Sequence, residues 1–175
     1  MNSQGIKAAS LVSATLVLCG CAALQYGPSA TAQLVATRGN AVTGSVSFTQ
    51  KGAVVAVSGT VVGLAPNREH GFHIHDKGDC SSGDGMSTGG HFNPEGKPHA
   101  AHSQDQHHAG DLPSLKADAA GNARIGFEST TLRVGQGATD VVGRGLIVHR
   151  DPDDFTTQPT GNSGPRLACA VILRN

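Results

Sequence analysis

From residue 41 onward the chain reads as short apolar, β-branched segments separated by Gly-containing turns: Ala41 to Thr49, Val54 to Leu64, His70 to His75, Ala123 to Glu128, Val141 to His149 and Leu167 to Leu173. Segments of this length and composition predict strands. The pattern fails in two places. Between His75 and Leu112 the sequence is rich in Gly, Ser, Asp and His, with almost no apolar periodicity, and a second such stretch runs from Arg150 to Pro165. Long structureless loops inside a compact domain are uncommon and usually functional, so the strands are read as scaffold and the two loops as the place for chemistry. No repeat, low-complexity run or coiled-coil heptad is present.

The N-terminal pattern differs. Lys7 precedes an apolar run from Ala8 to Leu18 and then small residues, which is the order of a signal peptide, and the run is too short to cross a bilayer. It ends in Leu18-Cys19-Gly20-Cys21, which resembles the bacterial lipobox. That reading makes residues 1–20 a leader, Cys21 the lipidated mature N-terminus, residues 21–32 a tether and residues 33–175 the folded domain. A soluble secreted protein cut at Ala30-Thr31-Ala32 is the alternative. Ala22 after Cys21 fits sorting to the outer membrane, so the expected location is the bacterial periplasm, with the membrane a partner only through the lipid.

Composition supports the all-β reading. The 175 residues suit one domain, and 24 Gly, 8 Pro, 5 Phe, 1 Tyr and no Trp favour short strands and turns. Thirteen basic and thirteen acidic residues balance, so nothing global favours nucleic acid or an anionic surface as partner. Steering of a charged ligand must be local. Monomer and homodimer both stay open. With Cys19 in the leader and Cys21 lipidated, Cys80 and Cys169 remain as an even pair in an oxidising compartment, which predicts a disulfide.

All nine histidines lie between His70 and His149, eight of them within His70 to His108. On a strand, His73-Ile74-His75 sends both imidazoles to one face and Ile74 to the other. Further donors are available in His91, in the stretch His99 to His108, in Asp111 and in His149. Imidazole and carboxylate without thiolate suit copper or zinc rather than an iron–sulfur cluster.

Six segments together resemble the copper/zinc superoxide dismutase family: Gly71-Phe72-His73-Ile74-His75, Gly78-Asp79-Cys80, Gly90-His91-Phe92-Asn93-Pro94, His108-Ala109-Gly110-Asp111-Leu112, Leu146-Ile147-Val148-His149 and Gly161-Asn162-Ser163-Gly164-Pro165-Arg166-Leu167-Ala168-Cys169. The resemblance implies an eight-stranded Greek-key β-barrel, sandwich-like in architecture, with two long functional loops. It implies copper on His73, His75, His91 and His149, and zinc on His91, His99, His108 and Asp111, with His91 shared. Only the family's spacing beyond His91 selects His99 and His108 over His102 and His107, and Ala100-Ala101-His102 stands where the family usually has Gly-Gly-Pro. Asp153 matches a carboxylate that joins a copper ligand to a zinc ligand, Arg166 the arginine that attracts the anionic substrate, and His70 a structural histidine. The basic guidance sometimes found in the second loop is missing, leaving Lys77 or Lys97 to supply it. The implied reaction is dismutation of superoxide to oxygen and hydrogen peroxide by alternating copper(II) and copper(I), with His91 carrying a proton. A copper/zinc carrier on the same barrel is the alternative, and loss of a copper ligand or of Arg166 would favour it.

Overall fold

The computed structural model describes Met1 and residues 27–175. Cys21, and the leader apart from Met1, lie outside the described residues. Among the described residues nine strands occur in chain order: β1 (Ser29–Ala36), β2 (Thr43–Lys51), β3 (Val54–Val62), β4 (Glu69–His70), β5 (Phe72–His75), β6 (Leu115–Lys116), β7 (Ala123–Ser129), β8 (Gly145–His149) and β9 (Arg166–Arg174). A single 3₁₀ turn, Met86–Thr88, is the one helical element among the described residues.

Seven strands form one antiparallel sheet in the order β5-β8-β9-β1-β2-β3-β7, and β4 pairs with β6. Strands β4 and β5 are one strand that changes partner at Gly71, whose carbonyl accepts from the His149 amide while its own amide donates to the Asp151 carbonyl. Counted so, there are eight strands. Because β6 lies against β7, the change of partner closes the curled sheet into a barrel. The chain runs β1-β2-β3 as a meander, crosses to the far edge to lay down β5, returns for β7, and crosses back for β8, which is the Greek-key path.

Alternation explains which faces meet inside. Ala30, Ala32 and Leu34 of β1, Val46 and Phe48 of β2, and Val55, Val57 and Val61 of β3 point inward, where they join Phe72, Ile74, Leu112, Leu146, Val148 and Ile172 in one core. Two expectations need correction. Residues 29–32 belong to β1, not to a tether, because Ala30 and Ala32 are fully buried and pair with both β2 and β9. The strand expected from Val141 begins at Gly145, because Gly143 at φ 79° turns the chain first.

The first long loop is pinned rather than loose. The Phe92 amide donates to the Ile74 carbonyl, the Ile74 amide to the Gly110 carbonyl, and the Gly110 amide to the Phe92 carbonyl. Isolated bridges pair His73 with Asp111 and His75 with His91. A Cβ on Gly110 would collide with the Ile74 carbonyl, so only glycine lets the loop lie this close to β5. The expected disulfide is present. Cys80 and Cys169, with Cα atoms 5.9 Å apart, bind this loop to β9.

Candidate metal centre

Strand β5 is buried on both faces, with Ile74 in the core and His73 and His75 beneath the two loops. His149 ends β8 at a register shift, a device that re-aims side chains beside active sites. Nitrogens of His73, His75, His91 and His149 all lie within 4.8 Å of one another, and so do donor atoms of His91, His99, His108 and Asp111. His91 belongs to both groups. His102 and His107 belong to neither: His102 Nδ1 donates to the Asp111 carbonyl at 2.9 Å and His107 Nδ1 to the His108 carbonyl at 2.6 Å, so both rings stand behind the second group.

Hydrogen bonds decide which ring atom faces each group. In the first, His73 Nε2 donates to Asp153 Oδ2 at 2.6 Å, His75 Nδ1 to the Gly89 carbonyl at 2.8 Å and His149 Nδ1 to the Gly164 carbonyl at 3.1 Å. His73 Nδ1 and the Nε2 atoms of His75 and His149 are left to converge on the bare Nε2 of His91. In the second, Asp111 Oδ1 is met by His91 Nδ1 at 2.9 Å, His99 Nδ1 at 3.0 Å and His108 Nδ1 at 3.4 Å. Asp111 Oδ2 accepts from the amides of Ala100 and His108, which fixes the carboxylate plane. Tethering one ring nitrogen so that the other is free and aimed is how metal-ligating histidines are held.

Asp153 ties the groups together, taking His73 Nε2 on Oδ2 and, at 2.8 Å, His99 Nε2 on Oδ1. Its neighbours do otherwise: Asp151 pairs with exposed Arg150 and Asp154 caps the turn at Thr156 and Thr157. His70, also buried, donates from Nδ1 to the His149 carbonyl at 2.9 Å, which fits a structural part. Arg166 is held from three sides, by the Gly85 carbonyl at 2.6 Å, Thr88 Oγ1 at 2.7 Å and the Gly89 carbonyl at 2.7 Å. Gly89 also accepts from His75, so guanidinium and imidazole share one acceptor. Lys97 is engaged by Glu95 at 2.8 Å, and Lys77 is exposed.

The electrostatics divide along the same line. Burial, reinforced by neighbouring imidazoles, holds His149 down to about 3, and burial holds His91 down to about 4 against the pull of Asp111. Both are neutral at pH 7, the form in which an imidazole has a lone pair to offer a metal ion. Burial would also lower His99, but Asp111 and Asp153 together overcome it and raise that imidazole to about 9. Burial would raise Asp111 and Asp153. The imidazoles of His108, His91 and His99 around the one, and of His73 and His99 around the other, hold both carboxyls far below the usual carboxylate range.

Residues 42–172 match the family described as copper/zinc superoxide dismutase (SODC). The chain belongs to this family. It is 38% identical to "Superoxide dismutase [Cu-Zn]" of Paramecium bursaria Chlorella virus 1 over 137 residues, 75% of this chain and 72% of that one. It is 35% identical to "Superoxide dismutase [Cu-Zn] 2" of Aquifex aeolicus (strain VF5) over 145 residues, covering 81% and 84% of the two chains. A solved structure described as "Crystal Structure Analysis of the clock protein EA4" superposes with a TM-score of 0.75 at 38% identity, covering 82% of this chain and 92% of that one. As a superoxide dismutase the protein converts superoxide to oxygen and hydrogen peroxide, with copper and zinc as cofactors.

Its residues fit those ions. His73 Nδ1, His91 Nε2 and His108 Nδ1 are buried without a hydrogen-bond partner, and bare buried nitrogens are costly unless something binds them. Two features had no assigned role at the sequence level. Gln158 clasps the His99 backbone, accepting its amide and donating to its carbonyl, both at 2.8 Å. Gly161, at φ 65°, lies so close to Asp153 and His99 that an added Cβ would overlap Asp153 Oδ1 and crowd His99 Nε2. Gly161→Ala is therefore expected to push Asp153 off His99 and weaken metal retention by the second group about 10- to 100-fold, as losing an outer partner of a ligand does. Competition against a chelator measures this.

Proposed function

We propose that copper sits among His73 Nδ1, His75 Nε2, His91 Nε2 and His149 Nε2, and zinc among His91 Nδ1, His99 Nδ1, His108 Nδ1 and Asp111 Oδ1. The observation that carries this is the division of one imidazole: His91 presents Nδ1 to the carboxylate-bearing group and its bare, buried Nε2 to the all-imidazole group. The all-nitrogen set suits copper, and three imidazoles with a carboxylate suit zinc.

Copper supplies the one-electron chemistry that oxidises one superoxide and reduces the next, while zinc, which has no redox chemistry, supplies charge and geometry. The protein's own part is positional. Asp153 fixes the rings of His73 and His99 from behind, so the two halves cannot shift independently. His91 Nε2 is the one nitrogen in the first group whose ring is not tied back to a carbonyl or to Asp153, and it is the atom at which a proton is held for the peroxide that forms. Arg166 keeps a permanent positive charge beside His75, with which it shares the Gly89 carbonyl, its fork fixed by Gly85, Thr88 and Gly89 so that it attracts and orients a small anion. Every ligand and Arg166 are retained, so nothing favours the carrier reading.

The exported, lipid-anchored form belongs to the same proposal: leader 1–20 removed, Cys21 lipidated, and the enzyme held at the periplasmic face of the outer membrane, where it protects the cell envelope. Supporting it, a cut after Ala32 would strip buried Ala30 and Ala32 from an interior strand, whereas a cut before Cys21 leaves β1 whole. The test loads the protein with both ions, assays superoxide dismutation, and reads the mature N-terminus by mass spectrometry. Activity and a diacylglyceryl Cys21 are expected. A loaded but inactive protein would overturn the catalytic half, and an unmodified N-terminus beyond Cys21 the anchored half.

A further inference from the structure

His102 and His107, which stand outside both groups, form a pair of their own. Each is tethered through Nδ1 to a backbone carbonyl, the Asp111 carbonyl for His102 and the His108 carbonyl for His107. A carbonyl only accepts, so each Nδ1 carries the hydrogen and each Nε2 is the bare, lone-pair nitrogen. The tether is of the same kind that aims His75 and His149, whose Nδ1 atoms bond the Gly89 and Gly164 carbonyls. Spacing agrees as well. The ring centroids of His102 and His107 are 5.2 Å apart, equal to His91–His99 and His75–His91, pairs that share a group.

The two rings line a cleft of about 360 Å³, whose other walls include Asp105 and Glu128. Both carboxylates are on exposed side chains, free to swing toward an ion. The Phe127 ring meets that of His102 edge-on, with centroids 5.3 Å apart.

We propose that this cleft is a third metal site, taking a divalent transition ion of borderline softness on His102 Nε2 and His107 Nε2, with Asp105 or Glu128 as a carboxylate ligand. Imidazole suits such ions, and the Nδ1 tethers leave Nε2 as the nitrogen each ring has to offer. With two preset ligands rather than four, the site binds more weakly than the two buried groups and fills after them. It is also coupled to them, because the carbonyls that hold its rings belong to Asp111 and His108.

The experiment uses the enzyme with both principal sites filled and copper reduced to copper(I), which is diamagnetic, and adds Ni²⁺ as the probe. Equilibrium dialysis with metal analysis is expected to give about one Ni²⁺ per chain without loss of copper or zinc, and the Phe127 ring protons are expected to broaden. In His102→Gln, which alters a half-exposed ring, Ni²⁺ retention should fall at least about ten-fold while copper and zinc contents hold. Absence of bound Ni²⁺, binding that leaves the Phe127 resonances sharp, or binding undiminished in His102→Gln would each overturn the site. The Phe127 signal is read in the unaltered protein and does not depend on the variant.

Discussion

Replacing His149 by Ala is expected to lower dismutation at least about a hundred-fold while the group of His91, His99, His108 and Asp111 keeps its ion. Removing an outer hydrogen-bond partner of a metal ligand already costs about 10- to 100-fold, so removing a ligand outright should cost no less. The loss is local for a structural reason. His149 contributes to the all-imidazole group alone, where its Nε2 lies 3.4 Å from that of His75. His149→Ala also frees the Gly164 carbonyl and leaves a hole beneath the second loop, but the backbone bonds to Gly71 and His70 stay. Parallel assays of activity and of zinc content separate the two effects. Retained activity would remove His149 from the catalytic centre, and lost zinc would mean that the two groups do not fill independently.

The second large effect falls on stability. The Cys80–Cys169 bond closes a loop with a sequence separation of 89, and release of that constraint from the unfolded chain gives roughly 4 to 5 kcal/mol by chain entropy, with measured losses commonly about 2 to 5 kcal/mol. Cys80→Ser with Cys169→Ser should therefore lower Tm by roughly 5 to 15 °C for a domain of this size. Activity should fall too, because Cys80 anchors the segment whose Gly85, Thr88 and Gly89 grip Arg166. Thermal unfolding with and without reductant checks this. Equal melting of the oxidised and reduced wild-type protein would show that the bond holds nothing.

How far the sequence foretells this centre depends on what each part is made of. His73 and His75 are legible because a strand has a period of two, and β5 keeps it. His91, His99, His108 and Asp111 lie in a segment with no periodicity, so composition announces a metal there without selecting the ligands. The path of the loop is what brings these four together, through Gly110 wedged between Phe92 and Ile74 and through the bridges that lay His91 and Asp111 beside β5. His102 and His107, identical in chemistry to His99 and His108, are held out of that group by hydrogen bonds to backbone carbonyls, which leave no trace in residue type. Strand β1 was hidden for the opposite reason: Ala30, Thr31 and Ala32 are small and weakly patterned, and only their place between β2 and β9 buries them. Gly161 and Gln158 act through close approach and main-chain bonds to His99, interactions that exist only once the second loop has folded over the first.

The most direct test of the shared-imidazole account is a crystal structure of the loaded enzyme with anomalous maps recorded at the copper and zinc edges. The account predicts a copper peak bounded by His73, His75, His91 and His149, a zinc peak bounded by His91, His99, His108 and Asp111, and the His91 ring lying between them. A principal copper or zinc peak on His102 or His107, or two peaks with His91 turned away from either, would contradict it.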